Sequence, residues 1–362
     1  MGRKFLFFLC LWFCLLRFGT AAEFSGSGQI TSWLDLPDQE KAGLGLRYIP
    51  EFFWSAPEYA LDIDLALNGN LVSGVDSKLK PHRLWARWSD AQIEARFGLQ
   101  KVNFGSATLF RPLQWFDSLD PLDPLGFTEG VKGALLRYYL PNNANFWLWG
   151  LAGNDELKGA EIIPTAKHTA EFGGRLQLPV CNGEAGLTYH QRRIDFGASP
   201  TFSLLSEEIT SERRLGLDGK WDIGIGVWFE AAYAAVDLGQ QDDQILQALE
   251  KQYHSTIGAD YTFDLGNGLH VLLEKYNLDT DIYRAGRGRN TQACGALVDY
   301  PVGLYDTVSI IQYYAEKNDS LSLRWQRTYD ELVLQFLAKL TPDYTEKNKT
   351  TGAIQALLSY NY

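Results

Sequence analysis

Hydrophobic and polar residues alternate along most of this chain with a period of two. Residues 61–67 are the clearest case, because each odd-numbered position is Leu or Ile and Asp62 and Asp64 fall between them. The same alternation recurs around residues 84–88, 172–178 and 332–340. A period of two places successive side chains on opposite faces of a strand. The pattern therefore predicts β-strands with one apolar face and one charged face.

About 18 such segments, each of roughly 9 to 13 residues, follow one another from Gly28 to the end of the chain. Short links alternate with longer ones, and aromatic residues flank the short links. The longer links fall around residues 36–43, 69–82, 102–129, 154–167, 194–209, 238–251, 277–290 and 341–351. This order is typical of an antiparallel up-and-down barrel in a membrane. The predicted fold class is an all-β transmembrane barrel of about 18 strands, with 16 as the alternative.

The first residues predict an export signal, and no compositional break divides the rest of the chain. Basic residues precede an apolar core that is too short to span a bilayer, and small residues follow it. We therefore expect a signal peptide at 1–22 and a single barrel domain at 23–362. Removal of Arg3, Lys4 and Arg17 takes the formal net charge from −11 to −14, which disfavours nucleic-acid binding. Two cysteines remain, Cys181 and Cys294, and the sequence leaves their pairing open.

The link between the strands at 93–100 and 134–139 is unusually long and rich in apolar residues. Such a loop is too hydrophobic for disorder, so we expect it to fold onto another part of the molecule. Its apolar side chains admit two interpretations: they guide passing solutes, or they fix the loop to the barrel wall. We favour the second, because an ordered loop must bury surface to offset its lost entropy. These side chains are Leu109, Phe110, Leu113, Trp115 and Phe116.

The segment RFGLQKVNFGSA at 96–107 is similar to the strand end from which porins launch the loop that enters their lumen. Where porins often carry Gly-Arg-Gln, this chain has Gly98-Leu99-Gln100. The alternating C-terminal segment ending at Tyr362 resembles the signal by which outer-membrane barrels are recognised for assembly. The chain thus resembles a Gram-negative outer-membrane porin. The resemblance implies that residues 102–129 form a constriction loop with an acidic edge of Asp117, Asp120 and Asp123.

A barrel of this size is too wide for side chains to fill, so its inward charges would line a water-filled lumen. Basic wall residues facing acidic loop residues would create a transverse field. The alternative is that individual charges only pair across neighbouring strands. The candidate pore-lining and constriction residues are Arg83, Arg87, Glu94, Arg96, Arg111, Asp117, Asp120, Asp123 and Arg137.

These features predict an outer-membrane porin for passive diffusion of small hydrophilic solutes or ions. Two alternatives remain: a substrate-specific porin or export channel for an oligosaccharide or apolar solute, and a plugged structural barrel that binds surface polymer. No zinc-protease spacing or Gly-x-Ser-x-Gly elbow is present, so we expect no enzyme, and we expect no cofactor and no metal. Expected partners are outer-membrane lipids and lipopolysaccharide, the assembly machinery and small solutes. Homo-oligomers are left open.

Overall fold

The computed structural model of the chain describes residues 22–37, 42–117, 127–199, 201–203, 208–238, 244–280, 289–316, 319–343 and 349–362. Within these ranges, 18 strands form one antiparallel sheet, with a 3-10 helix at Pro57–Tyr59 and an α-helix at Gln244–Glu250. The strands are β1 (Glu23–Pro37), β2 (Gly43–Ala56), β3 (Leu61–Val72), β4 (Val75–Ser89), β5 (Ile93–Gln100), β6 (Val131–Tyr139), β7 (Asn145–Ala152), β8 (Ala170–Val180), β9 (Gly183–Asp195), β10 (Ile209–Asp222), β11 (Gly226–Val236), β12 (Lys251–Phe263), β13 (Leu269–Thr280), β14 (Arg289–Val302), β15 (Asp306–Ala315), β16 (Ser320–Thr328), β17 (Leu332–Asp343) and β18 (Lys349–Asn361).

The sheet closes on itself, because β1 pairs with both β2 and β18. At this seam Gly28 and Tyr362 exchange two backbone hydrogen bonds of 3.0 Å each. Each strand from β2 to β17 pairs with the strand before it and the strand after it in the sequence, which is the up-and-down topology. The predicted fold class is confirmed, and the strand number is 18 rather than 16.

Links at one end of the barrel are short, and we call this the short-turn end; the opposite end is the loop end. The β8–β9 turn is only two residues, Cys181 and Asn182, whose φ angles of 49° and 61° are typical of a tight hairpin. The prediction of a long link is wrong at one place. Instead of a loop over 69–82, β3 and β4 continue to a two-residue turn at Ser73 and Gly74, and Gly74 supplies the positive φ of 80°.

The outer face of the barrel is an apolar belt, as the alternation predicted. Large apolar side chains are exposed on many neighbouring strands, including Phe97 and Ile257, which each expose 61% of their surface. A contiguous apolar surface of this extent marks contact with a membrane or a partner. Aromatic rings collect near the short-turn end, including the Tyr261–Phe263 and Tyr305–Tyr329 contacts. Among the residues that the structure describes, no helix is long and apolar enough to cross a membrane.

Buried apolar residues lie inside the barrel in three clusters. The first joins Phe104 and Trp115 to Trp149 on β7, and the second joins Leu109 to Trp228 and Leu272 on β11 and β13. The third lies toward the loop end of β9 to β12. It consists of Ile163, Ile194, Phe196, Phe202, Val236, Leu238, Leu246 and Leu249. The described interior packing is therefore concentrated against the wall from β6 to β15.

Candidate functional site

The link after β5 enters the barrel and reaches β11 and β13, which lie far around the ring from its root. We call its described part, residues 101–117, the inward segment. The segment is not part of a strand, so its backbone N–H groups form no hydrogen bonds of the sheet. Several of them donate instead to two carboxylates on the barrel wall. Glu230 on β11 accepts from Ala107 at 2.7 Å and from Leu113 at 3.2 Å. These contacts fix the segment at two points along its length.

Glu274 on β13 makes a denser set of contacts. Its carboxylate accepts from the backbone N–H groups of residues 108, 109 and 110 at 2.7, 2.9 and 2.7 Å, and from Trp228 Nε1 at 2.9 Å. The Thr256 hydroxyl on β12 donates to the Phe110 carbonyl at 2.9 Å. Hydrogen bonds to an ionised carboxylate are stronger than neutral ones. Glu274 is therefore the main polar attachment of the segment to the wall.

Gly105 lets the segment approach Glu230. Its φ is +96°, in the region that favours glycine, and a Cβ at this position would lie 2.3 Å from Glu230 Oε1. Any larger residue would have to displace the carboxylate or the segment. The local sequence NFGSA thus determines how closely the segment can lie on β11.

The aromatic residues of the inward segment pack against the wall. Phe104 stacks on Trp149 of β7, with ring centroids 5.9 Å apart, and meets Trp115 edge to face at 5.6 Å. Leu113, Trp115 and Phe116 expose 1%, 4% and 2% of their surface. Side chains this buried offer little surface to a passing solute. The described geometry favours the interpretation in which they attach the segment to the barrel.

The returning limb, residues 127–130, is attached to the other side of the barrel. His82 stacks on Phe127 at 4.9 Å, and the Arg47 guanidinium lies 4.4 Å from the centre of the same ring. Arg83 donates to the Thr128 carbonyl at 2.8 Å. Of the predicted basic residues, Arg83 therefore contacts the loop itself.

Four predicted residues come together on β4, β5 and β6 near the short-turn end. Glu94 lies 3.2 Å from both Arg96 and Arg137 and 4.0 Å from Arg87, and Arg87 also pairs with Asp62 at 2.6 Å. The Arg137 guanidinium also lies 3.9 Å from the centre of the Trp147 ring. Three guanidinium groups share two carboxylates in this group, which we call the basic wall.

The remaining predicted residues belong to the loop. Arg111 pairs with Asp117 at 2.9 Å and donates to Asn103 at 2.9 Å, and Asp117 is only 2% exposed. The structure therefore places Asp117 in a buried ion pair. Asp120 and Asp123 lie outside the described residues. Lys101, where the segment begins, has a pKa lowered by burial.

Nearly opposite the basic wall lies a second group of charges, also near the short-turn end. His270 on β13 lies 3.1 Å from Asp260 on β12 and 3.7 Å from Asp299 on β14, and Arg324 on β16 reaches Asp299 at 3.6 Å. Two carboxylates share one imidazole and one guanidinium in this group, which we call the acidic wall.

The link between β7 and β8 also turns inward, although its length suggested an ordinary external loop. The Glu161 side chain is fully buried and lies 2.9 Å from Arg192, 3.1 Å from Lys158 and 3.6 Å from Arg214. The Ala160 N–H donates to the Gln114 carbonyl at 2.9 Å, which joins this link to the inward segment. Alternation could not reveal this arrangement, because it depends on contacts between loops.

Glu230 and Glu274 were also missed. In the sequence, each is a single acid among apolar or aromatic residues on the inward face of its strand. Glu230 follows Trp228 on that face, and Glu274 lies between Leu272 and Tyr276. Within the described ranges, no group of three His, Cys, Asp or Glu residues could hold a metal ion. Cys181 and Cys294 are both free and exposed.

No family model matches the chain, and no curated protein is similar to it in sequence. Solved structures, however, match along nearly its whole length. OpdK of Pseudomonas aeruginosa, solved with vanillate, aligns with a TM-score of 0.64 and 10% identity over 94% of this chain and 98% of its own. OccAB1 of Acinetobacter baumannii aligns with a TM-score of 0.61 and 8% identity over 94% and 96%. The chain has the porin fold.

This chain is also similar to a barrel whose described role is not transport. The Escherichia coli outer-membrane protein Wzi, which is involved in group 1 capsule assembly and is a carbohydrate-binding β-barrel, aligns with a TM-score of 0.56 and 14% identity over 94% of this chain and 84% of its own. Identities this low establish the fold alone. The predictions of an outer-membrane location and a channel function agree with the porin fold.

Proposed function

We propose that this protein is an outer-membrane channel through which small hydrophilic solutes or ions diffuse passively. The observation that carries the proposal is the position of the inward segment, which Glu230 and Glu274 hold on β11 and β13 of a closed 18-strand barrel. The passage would run between that segment and the wall formed by β16 to β18 and β1, because Phe110 of the segment already contacts Tyr313 on β15. Several inward positions of these strands are polar, including Ser322, Gln335 and Ser359, and Arg324 is a larger, charged side chain among them.

The charge filter of this channel would come from two facing walls. The basic wall of Arg87, Arg96 and Arg137 faces the acidic wall of Asp260 and Asp299 across the barrel. A solute crossing between them would experience a transverse field that orients its dipole. Arg83, Glu94, Arg111, Asp117, Asp120 and Asp123 complete the proposed constriction.

The apolar belt supports an outer-membrane location, with the outer face in contact with lipid and lipopolysaccharide. Barrels of this kind place their short turns in the periplasm, so we place the short-turn end there. The C-terminal strand, which ends next to Tyr362, would be the contact for the assembly machinery. The proposed transport is passive and needs no catalytic residue, so we infer that the protein is not an enzyme.

Single-channel recording in planar bilayers tests this proposal. The mature protein should give stable conductance steps, and deletion of residues 106–126 should enlarge them because it removes the narrowing segment. A deletion of residues 345–347, which shortens the link between β17 and β18 to two residues, is the control and should leave the step size unchanged. Resistance of the unheated barrel to unfolding in detergent would verify that each variant is folded. Silence of the folded mature protein would contradict the proposal.

A second candidate is a plugged barrel that binds a surface polymer. Its supporting observation is the second inward link, whose Glu161 network and contact with the inward segment fill part of the interior. Wzi is itself a carbohydrate-binding barrel. Silence of a folded protein together with retention on a polysaccharide matrix would favour this function over the channel.

A further inference from the structure

A cavity of about 470 Å³ lies between the two inward links and the wall from β9 to β13. Residues 109–115 bound it on one side, residues 160–163 on another, and inward side chains of the strands line the rest of its wall. The proposed passage runs along the other side of the barrel. The cavity is thus a side compartment of the interior.

Apolar and aromatic groups form most of the cavity surface. Phe110 stacks on Tyr276, with ring centroids 5.6 Å apart, and Trp115 contributes its indole. Ile163, Leu249 and Leu278 add branched aliphatic surface. An apolar cavity of about 150 Å³ is already large enough to bind benzene. The space here is sufficient for a molecule of two fused rings.

The charged groups that reach the cavity neutralise one another. Arg214 pairs with Glu212 at 2.7 Å, Arg192 pairs with Glu161 at 2.9 Å, and Arg111 is engaged by Asp117. A charged ligand would leave water without gaining a free counter-ion, and that desolvation is costly. The cavity therefore selects against charged molecules.

A His–Tyr pair on the cavity wall offers a polar contact to a ligand. His254 Nδ1 lies 2.7 Å from the Tyr276 hydroxyl, and its second ring nitrogen, Nε2, has no hydrogen-bond partner among the described residues. In the tautomer in which Tyr276 donates to Nδ1, Nε2 carries the hydrogen and can donate it to a ligand oxygen. A ligand with one hydroxyl group matches this feature.

We propose that this cavity is a binding site for an uncharged amphipathic molecule with one or two rings and a hydroxyl group. Such a molecule would place its rings against Phe110 and Trp115 and its hydroxyl group at His254. The site does not depend on an open passage, so it is separate from the proposed channel function.

Equilibrium dialysis of radiolabelled naphthol against the full-length mature protein in lipid nanodiscs tests the proposal, with empty nanodiscs as the background. We expect saturable binding of about one naphthol per barrel, and binding of naphthalene sulfonate at least about tenfold weaker. Ala234→Phe fills the cavity and should abolish binding. Ala235→Phe is the matched control and should not, because adjacent strand positions face opposite sides of the sheet.

The polar contact has its own readout. His254→Phe should reduce the preference for naphthol over naphthalene by about fivefold, which is the usual effect of losing one hydrogen bond. Three results would overturn the proposal. The first is naphthol binding no greater than that of empty nanodiscs, and the second is equal binding by Ala234→Phe and Ala235→Phe. The third is stronger binding of naphthalene sulfonate than of naphthol. Conductance of the same purified protein is recorded separately in planar bilayers. A protein that conducts but does not bind naphthol would contradict the binding site without contradicting the channel function.

Discussion

At the scale of single residues, the inward segment depends on two buried carboxylates. Glu230 and Glu274 accept hydrogen bonds from backbone groups that would otherwise be buried without partners. A carboxylate suits this role because all its lone pairs accept, whereas an amide must also donate. The position of a whole segment therefore rests on the geometry of two side chains.

Glu274→Gln should release the middle of the inward segment. The amide nitrogen would face backbone N–H donors, so at least one hydrogen bond is replaced by a donor–donor contact. We expect a larger and noisier conductance in planar bilayers. Glu58→Gln, in the exposed short turn after β2, is the control and should behave like the unmodified protein. Identical traces for the two variants would show that Glu274 does not position the segment.

Asp117→Asn tests the ion pair inside the loop. Loss of its charge leaves Arg111 unbalanced, so the reversal potential in a salt gradient should shift toward anion permeation. Arg111→Gln should shift it the opposite way. Shifts of the same sign in both variants would argue against a role of this pair in ion selectivity.

At the scale of elements, Gly105 and Gly74 allow a controlled comparison. Both have positive φ, so alanine at either position is strained by roughly 1 kcal/mol. A Cβ at Gly74 meets nothing within 4 Å, whereas one at Gly105 meets Glu230. Gly105→Ala should therefore alter conductance, while Gly74→Ala should lower only the unfolding temperature. Unaltered conductance in Gly105→Ala would mean that the segment adjusts without moving.

The strands could be predicted from the sequence, while the interior contacts could not. Alternation fixed the faces of segments such as 61–67, because one face of each strand meets lipid and the other meets the lumen. It misplaced the link at 69–82, because Asn68, Gly69 and Asn70 resemble a loop sequence although the backbone pairing continues through them with shifts of register. Glu230 and Glu161 act through contacts with loops far away in sequence, and a local pattern carries no record of such contacts.

At the scale of the whole molecule, the barrel has a predicted orientation. Cys181 lies in a short turn and Ser73 in a turn at the loop end. In a Cys294→Ser background, a membrane-impermeant maleimide should label Cys181 only after the outer membrane is permeabilised. Ser73→Cys should be labelled in intact cells. Labelling of Cys181 in intact cells would reverse the proposed orientation.

The facing charged walls predict opposite effects on selectivity. Arg96→Gln weakens the basic wall and should lower anion permeability, and Asp260→Asn weakens the acidic wall and should lower cation permeability. The double variant should lie near the unmodified protein in reversal potential, because the two changes cancel. Parallel shifts from both single variants would contradict a transverse field.

The seam between β1 and β18 has a consequence for the order of assembly. Gln29 donates to Asn361 across a separation of 332 residues, so the two edges that meet there belong to opposite ends of the chain. The barrel cannot close until both ends are present, and the entropy of joining them is lost in a single step. Until then β1 and β18 each present an unpaired edge, which would attract other strands. The barrel is thus most exposed to pairing with other chains during assembly, before β1 pairs with β18.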